Sequence, residues 1–162
     1  PNATALFYYA GHAGQLENQN FLIPIDSRME DQKEIELEAI NAEIILNALN
    51  KASKGTKILI LDACRNNPFK SLTRSSSGGL AQMSAPVGTF IAYSTAPGAL
   101  AVDITSDGYS IYTGNLINNI KIQGITIEEV FKRTRADVVR QSQNKQVPWD
   151  SSSLIGDFYF NK

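Results

Sequence analysis

Two residues of reactive type occur once each in this sequence of 162 residues, His12 and Cys64. A thiol needs a neighbouring base to be mostly thiolate at neutral pH, and histidine is its usual partner. The pair also permits an ordinary interpretation, because a single cysteine is commonly a small buried hydrophobe and a single histidine is commonly structural. The interpretation therefore depends on whether the fold brings the two residues together.

Each reactive residue follows an apolar run that is typical of a buried strand. Residues 6–9 (LFYY) precede His12, and residues 57–61 (KILIL) precede Cys64. The second run is continuous, which predicts a central parallel strand buried on both faces. Sites in open α/β sheets form beyond the carboxyl ends of strands, so both residues are predicted at one edge of the sheet. Small residues around the histidine would let a substrate backbone approach closely: Ala10, Gly11, Ala13 and Gly14.

The elements between these runs predict an α/β fold, with strands and helices alternating around a mainly parallel sheet. Helices are predicted over residues 41–52, 109–120 and 126–141. Thr126 and Glu129 form a capping-box pattern at the start of the last helix.

Further strands and two loops complete the predicted fold. Strands are expected at 21–25, where Pro24 would confine the strand to an edge, and at 88–93 and 158–160. Residues 26–39 are predicted to be mostly loop, and residues 70–87 a flexible, exposed loop. The chain is expected to form one domain over residues 1–162.

Composition limits the partners and cofactors. The net charge of −1 gives no basis for attraction to nucleic acid or to an anionic membrane. No apolar run approaches the ~18 residues needed to span a bilayer, and no signal peptide is recognisable, so a cytoplasmic location is expected. A single cysteine excludes an internal disulfide and a cysteine-rich zinc site. No cofactor or metal is predicted.

Four segments resemble, in order, the motifs of caspases, metacaspases and their bacterial relatives, the cysteine peptidases of family C14. Residues 7–13 (FYYAGHA) resemble the histidine motif, and residues 61–69 (LDACRNNPF) resemble the cysteine motif. Residues 92–98 (AYSTAPG) resemble the segment beside the substrate cleft, and residues 147–160 resemble the closing strand. The histidine and cysteine are 52 positions apart, close to the roughly 50 of the caspase signature. The resemblance covers nearly the whole chain and implies a three-layer α/β/α fold.

The same resemblance implies a mechanism. Cys64 would attack the scissile carbonyl, and His12 would assist thiolate formation or protonate the leaving amine. The backbone N–H groups of Cys64 and Ala13 would form the oxyanion hole. The family usually has glycine where this chain has Ala13.

Acidic residues at the implied substrate pocket predict specificity for basic residues. The caspase signature has glutamine two residues before the cysteine, where this chain has Asp62, and Asp103 aligns with a caspase pocket arginine. Both changes would repel an aspartate at P1, the substrate residue whose carbonyl is attacked, and would favour arginine over lysine there. Ala10 and Ser94 would also line the cleft. Alternatively, Asp62 caps the turn after its strand, and the alignment that places Asp103 is shifted.

The resemblance raises three further expectations. Caspases are cut between the cysteine and the next strand, so Lys70 and Arg74 are candidate sites of self-cleavage, although an uncleaved linker is an equal alternative. The family fold begins with strands that precede the histidine strand, so we expect an N-terminally shortened domain whose exposed edge pairs with those strands or with another chain. Calcium activates some metacaspases, but the available acidic residues show no EF-hand spacing: Asp26, Glu30, Asp31, Asp103 and Asp107.

The leading hypothesis is a cysteine endopeptidase that acts on peptide or protein substrates after Arg or Lys. Three alternatives remain open at this point. They are a caspase specific for aspartate, a catalytically silent scaffold that binds partners, and a cysteine hydrolase of non-peptide amides.

Overall fold

Three parallel strands form the centre of the sheet in the computed structural model. The structure describes residues 2–29, 34–65, 79–97, 99 and 108–162, and for Cys64 and Arg65 it describes the backbone. In chain order the elements are β1 (Ala5–Leu16), β2 (Gln19–Leu22), α1 (Ile35–Glu38), β3 (Ile40–Asn41), α2 (Ala42–Ala52), β4 (Lys57–Arg65), β5 (Thr89–Tyr93), α3 (Ile111–Ile120), α4 (Ile127–Gln141) and β6 (Trp149–Ser152).

The six strands lie in the order β3-β2-β1-β4-β5-β6. Strands β1, β4 and β5 are parallel to one another, whereas β2, β3 and β6 add antiparallel pairs at the two sides. The predicted α/β class, with parallel strands at its core, is therefore confirmed. The parallel pairing places residues 10–12 of β1 beside the C-terminal end of β4, so the segments that carry the two reactive residues lie side by side.

Helices cover both faces of the sheet, which gives three layers. One core joins β4 and β5 to α2, with Leu46 of that helix 2% exposed. The other joins the opposite face of the same strands to α3 and α4, with Ile58 and Ile127 fully buried. Strand β4 is thus buried on both faces, as its continuous apolar sequence predicts. None of the helices in the described ranges is both long and apolar enough to cross a membrane.

The start of β1 is less well covered than the rest of the sheet. It pairs with β4 along one edge, but β2 pairs only with residues 13–16 along the other. Leu6 and Tyr8 on its outer face are 50% and 41% exposed. Within the described ranges no strand pairs with the second edge of residues 5–11.

The three predicted helices are confirmed, and each has a side-chain N-cap. Helix α2 begins after Asn41, whose side chain accepts from the N–H of Glu43, and α3 begins after Ser110. Thr126 caps α4 by accepting from the N–H of Glu129. The carboxylate of Glu129 binds Arg133 instead of completing the predicted capping box.

One strand prediction is correct in kind but wrong in its bounds and position, and another is wrong. The strand predicted at 21–25 is β2, which ends at Leu22 before Pro24 and lies between β3 and β1 rather than at an edge. Residues 158–160 form no strand, because β6 already pairs with β5 and the aromatic rings of this segment pack over α4. The ring centroids of Phe131 and Phe160 are 6.4 Å apart.

The predicted loops also need correction. Residues 66–78, the first part of the loop expected at 70–87, lie outside the described residues. The second part is not uniformly exposed, because Leu80 and Met83 are each 3% exposed and pack in the core beside α2. The N–H of Met83 donates to the Tyr93 hydroxyl at 2.8 Å. The region expected to be loop at 26–39 contains the short helix α1.

Candidate active site

Strand β1 changes its hydrogen-bonding partner at His12. Ala10 pairs with Asp62 of β4, and after a bulge His12 pairs with Arg65, the residue that follows Cys64. From Ala13 onward β1 pairs with β2. His12 therefore lies inside β1 rather than at its end as predicted, but it lies where β1 separates from β4. The imidazole is exposed and makes no hydrogen bond to the described residues.

The pairing of β1 with β2 fixes the direction of the Ala13 backbone N–H. The N–H of Ile23 donates to the carbonyl of His12 at 3.0 Å, and Ala13 is paired with Leu22. Ala13 is therefore in a non-hydrogen-bonded position of this antiparallel pair, and its own N–H points away from β2 toward the β4 side. The φ angle of Ala13 is not positive, so alanine is unstrained where the family usually has glycine.

Asp62 is a buried carboxylate held by two hydroxyl groups of α3. It is 2% exposed, and its Oδ2 accepts from Ser110 Oγ and from Thr113 Oγ1, the latter at 2.6 Å. Its Oδ1 accepts no hydrogen bond from the described residues, and none of their cationic side chains forms an ion pair with it. A buried charge needs such hydrogen bonds, which explains the attachment to α3.

The hydroxyl protons around Asp62 can be assigned from their partners. Thr113 has one proton, which it donates to Asp62, so Tyr8, 2.6 Å away, must donate to Thr113. Ser110 donates to Asp62 and accepts from the N–H of Thr113 at 2.9 Å, as the N-cap of α3. The chain of hydrogen bonds thus joins β1, β4 and α3. Burial first, and Asp62 second, raise the pKa of the nearby Tyr112 well above its usual value.

These hydroxyl partners of Asp62 were not predicted. Ser110 lies 48 positions from Asp62 and Thr113 lies 51 positions away. The sequence signal that could have found Ser110 is its position before an apolar helical pattern, where serine commonly caps a helix. Nothing in the sequence relates that cap to Asp62.

Substitution of Ser110 tests how much the Ser110–Asp62 hydrogen bond contributes to the free energy of unfolding. Ser110→Ala is expected to lower the free energy of unfolding by about 2–4 kcal/mol, because both a helix cap and a hydrogen bond to a charged group are lost. Thr126→Ala is the matched control, since it removes the cap of α4 alone and should cost about 1 kcal/mol. Urea unfolding measures both. Equal losses in the two variants would contradict the assigned role of the Ser110–Asp62 hydrogen bond.

The segment after β5 is fixed mainly through its backbone. The N–H of Ser94 donates to the carbonyl of Leu61 at 3.0 Å, and its carbonyl accepts from Gln146 Nε2 at 2.6 Å. The hydroxyls of Ser94 and Thr95 are buried and have no partner among the described residues. Ser94, predicted to line the cleft, therefore has a buried hydroxyl at the end of the strand beside Asp62.

The predicted residues fall into two groups. The structure brings together Ala10, His12, Ala13, Asp62 and the backbone of Cys64. Asp103 and the candidate cleavage residues Lys70 and Arg74 lie outside the described residues, as do three of the remaining acidic residues considered for calcium: Glu30, Asp31 and Asp107. Across the ranges described, no three or more His, Cys, Asp or Glu side chains form a group that could hold a metal ion.

Comparison with protein families agrees with this arrangement. The family model of the peptidase C14 caspase domain matches residues 1–159. Comparison with curated proteins gives no significant match. The domain match extends over almost the entire chain and includes every residue of the site described above. On the strength of this match, and in agreement with its parallel core, the chain belongs to the caspase-domain family of cysteine peptidases.

Proposed function

We propose that the protein is a cysteine endopeptidase that cleaves after basic residues, with Arg preferred over Lys at P1. The observation that carries this proposal is the backbone pairing of His12 with Arg65, immediately beyond Cys64. This pairing supports a catalytic dyad of Cys64 and His12, because neighbouring parallel strands place the nucleophile and the base close together in the sheet. Membership of a cysteine peptidase family supports the same chemistry.

In the proposed reaction, the thiolate of Cys64 attacks the scissile carbonyl carbon, and the negative charge moves to the carbonyl oxygen. The N–H groups of Ala13 and Cys64 would stabilise that oxygen; loss of one such donor typically costs about 100- to 1,000-fold in rate. His12 gives its proton to the leaving amine as the C–N bond breaks. Water, deprotonated by His12, then hydrolyses the thioester and releases the acid and the free thiol.

Asp62 supports the preference for basic residues. Its carboxylate lies two residues before the nucleophile, and its Oδ1 accepts no hydrogen bond from the described residues. A P1 guanidinium would supply a cation for this carboxylate, and its planar set of donors suits a carboxylate better than an ammonium does. The hydroxyls on Oδ2 would keep the carboxylate in place whether or not substrate is bound.

A panel of fluorogenic peptide amides tests the specificity. The protein is expected to cleave the P1 Arg substrate with the highest kcat/KM and the P1 Lys substrate less well, and to leave the P1 Asp substrate intact. The peptides should be identical apart from P1, and rates should be measured at the same enzyme concentration. Cleavage after Asp but not after Arg would overturn the basic pocket. Peptide binding without cleavage of any member would favour the silent scaffold.

A further inference from the structure

Tyr9 hydrogen-bonds the backbone of the residue proposed as the base. Its phenol donates to the carbonyl of His12 at 2.6 Å and to the carbonyl of Ile23 at 2.7 Å. The N–H of Ile23 donates to the same carbonyl of His12. One phenolic proton is thus shared between a carbonyl of β1 and the carbonyl of the residue after β2. This contact lies where β1 leaves β4 for β2.

Gly11 makes room for this contact. A Cβ at this position would lie 2.7 Å from the Tyr9 hydroxyl oxygen and 2.9 Å from its Cζ. Separations that short do not occur for a real Cβ, so any larger residue would push the phenol away from His12. Since the φ angle of Gly11 is not positive, glycine is required here for space rather than for backbone conformation.

The phenol is also kept in the form that can donate. Both partners are carbonyl oxygens, which only accept, so the contact requires a protonated hydroxyl. Burial raises the pKa of Tyr9 above its usual value, outweighing the opposite effect of its hydrogen bond to Ile23. The hydroxyl therefore stays protonated throughout the neutral range.

From these contacts we infer that Tyr9 is a positioning residue that fixes the backbone of His12, and with it the imidazole and the N–H of Ala13. The inference rests on the proposed function, because it takes His12 as the base of the dyad. A catalytic geometry must be held to within about 0.5 Å by its supporting residues. Movement of the His12 carbonyl would displace the base and the adjacent oxyanion donor together.

Tyr9→Phe tests the inference, because it keeps the ring under Gly11 and removes the hydroxyl alone. We expect kcat to fall about 10- to 100-fold with KM changed less than about twofold, since a misplaced base slows the chemical step. The pH dependence of iodoacetamide alkylation gives a second readout that needs no peptide substrate. Cys64 is the only thiol in the chain, so the rate reports it alone. The pH at the midpoint of the alkylation profile should be higher in Tyr9→Phe than in the wild type, and closer to the midpoint of His12→Ala.

The controls separate this inference from the proposed function. Tyr159→Phe removes a hydroxyl whose one hydrogen-bond partner among the described residues is Asp157, near the C-terminus, and it should leave both readouts unchanged. Alkylation that is identical in His12→Ala and the wild type would contradict the dyad, and the inference with it. If His12→Ala shifts the profile but folded Tyr9→Phe does not, only the positioning role is overturned. A rise in KM at constant kcat would overturn it as well.

Discussion

Replacement of Cys64 by alanine is expected to abolish cleavage of the P1 Arg peptide, with activity at least about 1,000-fold below that of the wild type. The thiolate is the atom that forms the acyl-enzyme in the proposed reaction, and no other cysteine in the chain could replace it. His12→Ala should cause a loss of similar size, since it is the only histidine. Initial rates with the fluorogenic peptide, measured alongside thermal melting of each variant, give both values.

The double variant makes this prediction sharper. Nucleophile and base act as one unit, so the Cys64→Ala/His12→Ala protein should be no slower than either single variant. Losses that multiply would mean that the two residues act independently. Undiminished cleavage by Cys64→Ala would refute a cysteine mechanism. If the wild type and Cys64→Ala bind the peptide equally well and the wild type cleaves it no faster than the variant, the protein is the silent scaffold.

The elements whose sequence patterns were strongest were predicted correctly. The helical spacing of α2 and α4, and the Thr126 cap of α4, determine their positions, and the unbroken apolar run of β4 determines its burial on both faces. The strand predicted at 158–160 does not form, because Phe158 and Phe160 of this aromatic run pack against the core beside α4 instead. The local sequence pattern cannot distinguish a strand from a segment packed on a helix, since both environments favour the same apolar residue types.

The sequence predicted which residues of the candidate site are neighbours, but not the contacts they make. The neighbouring strand positions of Ala10, His12 and Asp62 follow from the parallel pairing of two apolar runs. The hydroxyl partners of Asp62 and the attachment of Tyr9 to His12 depend on how α3 and β2 dock against these strands. Contacts of this kind arise from tertiary packing, and sequence periodicity indicates secondary structure but not which elements pack together.

Asp62→Asn is expected to lower kcat/KM for the P1 Arg peptide by about 100-fold or more, while a matched peptide with a neutral P1 residue is cleaved at nearly the wild-type rate. The substitution removes the charge but keeps one oxygen that can accept from Ser110 and Thr113. The amide group would also present a donor where the guanidinium needs an acceptor. Steady-state kinetics with both peptides measures the ratio that defines the pocket.

The neutral peptide separates the pocket role of Asp62 from its structural role. If Asp62 serves only to hold α3 against β4, Asp62→Asn will slow both peptides by the same factor and will lower the melting temperature. Asp137→Asn is the matched control, because Asp137 is a carboxylate of α4 whose hydrogen-bond partners among the described residues, Arg140 and Asn119, both belong to helices. It should alter neither kcat/KM. A loss confined to the Arg peptide therefore requires that the negative charge of Asp62 acts on the substrate itself.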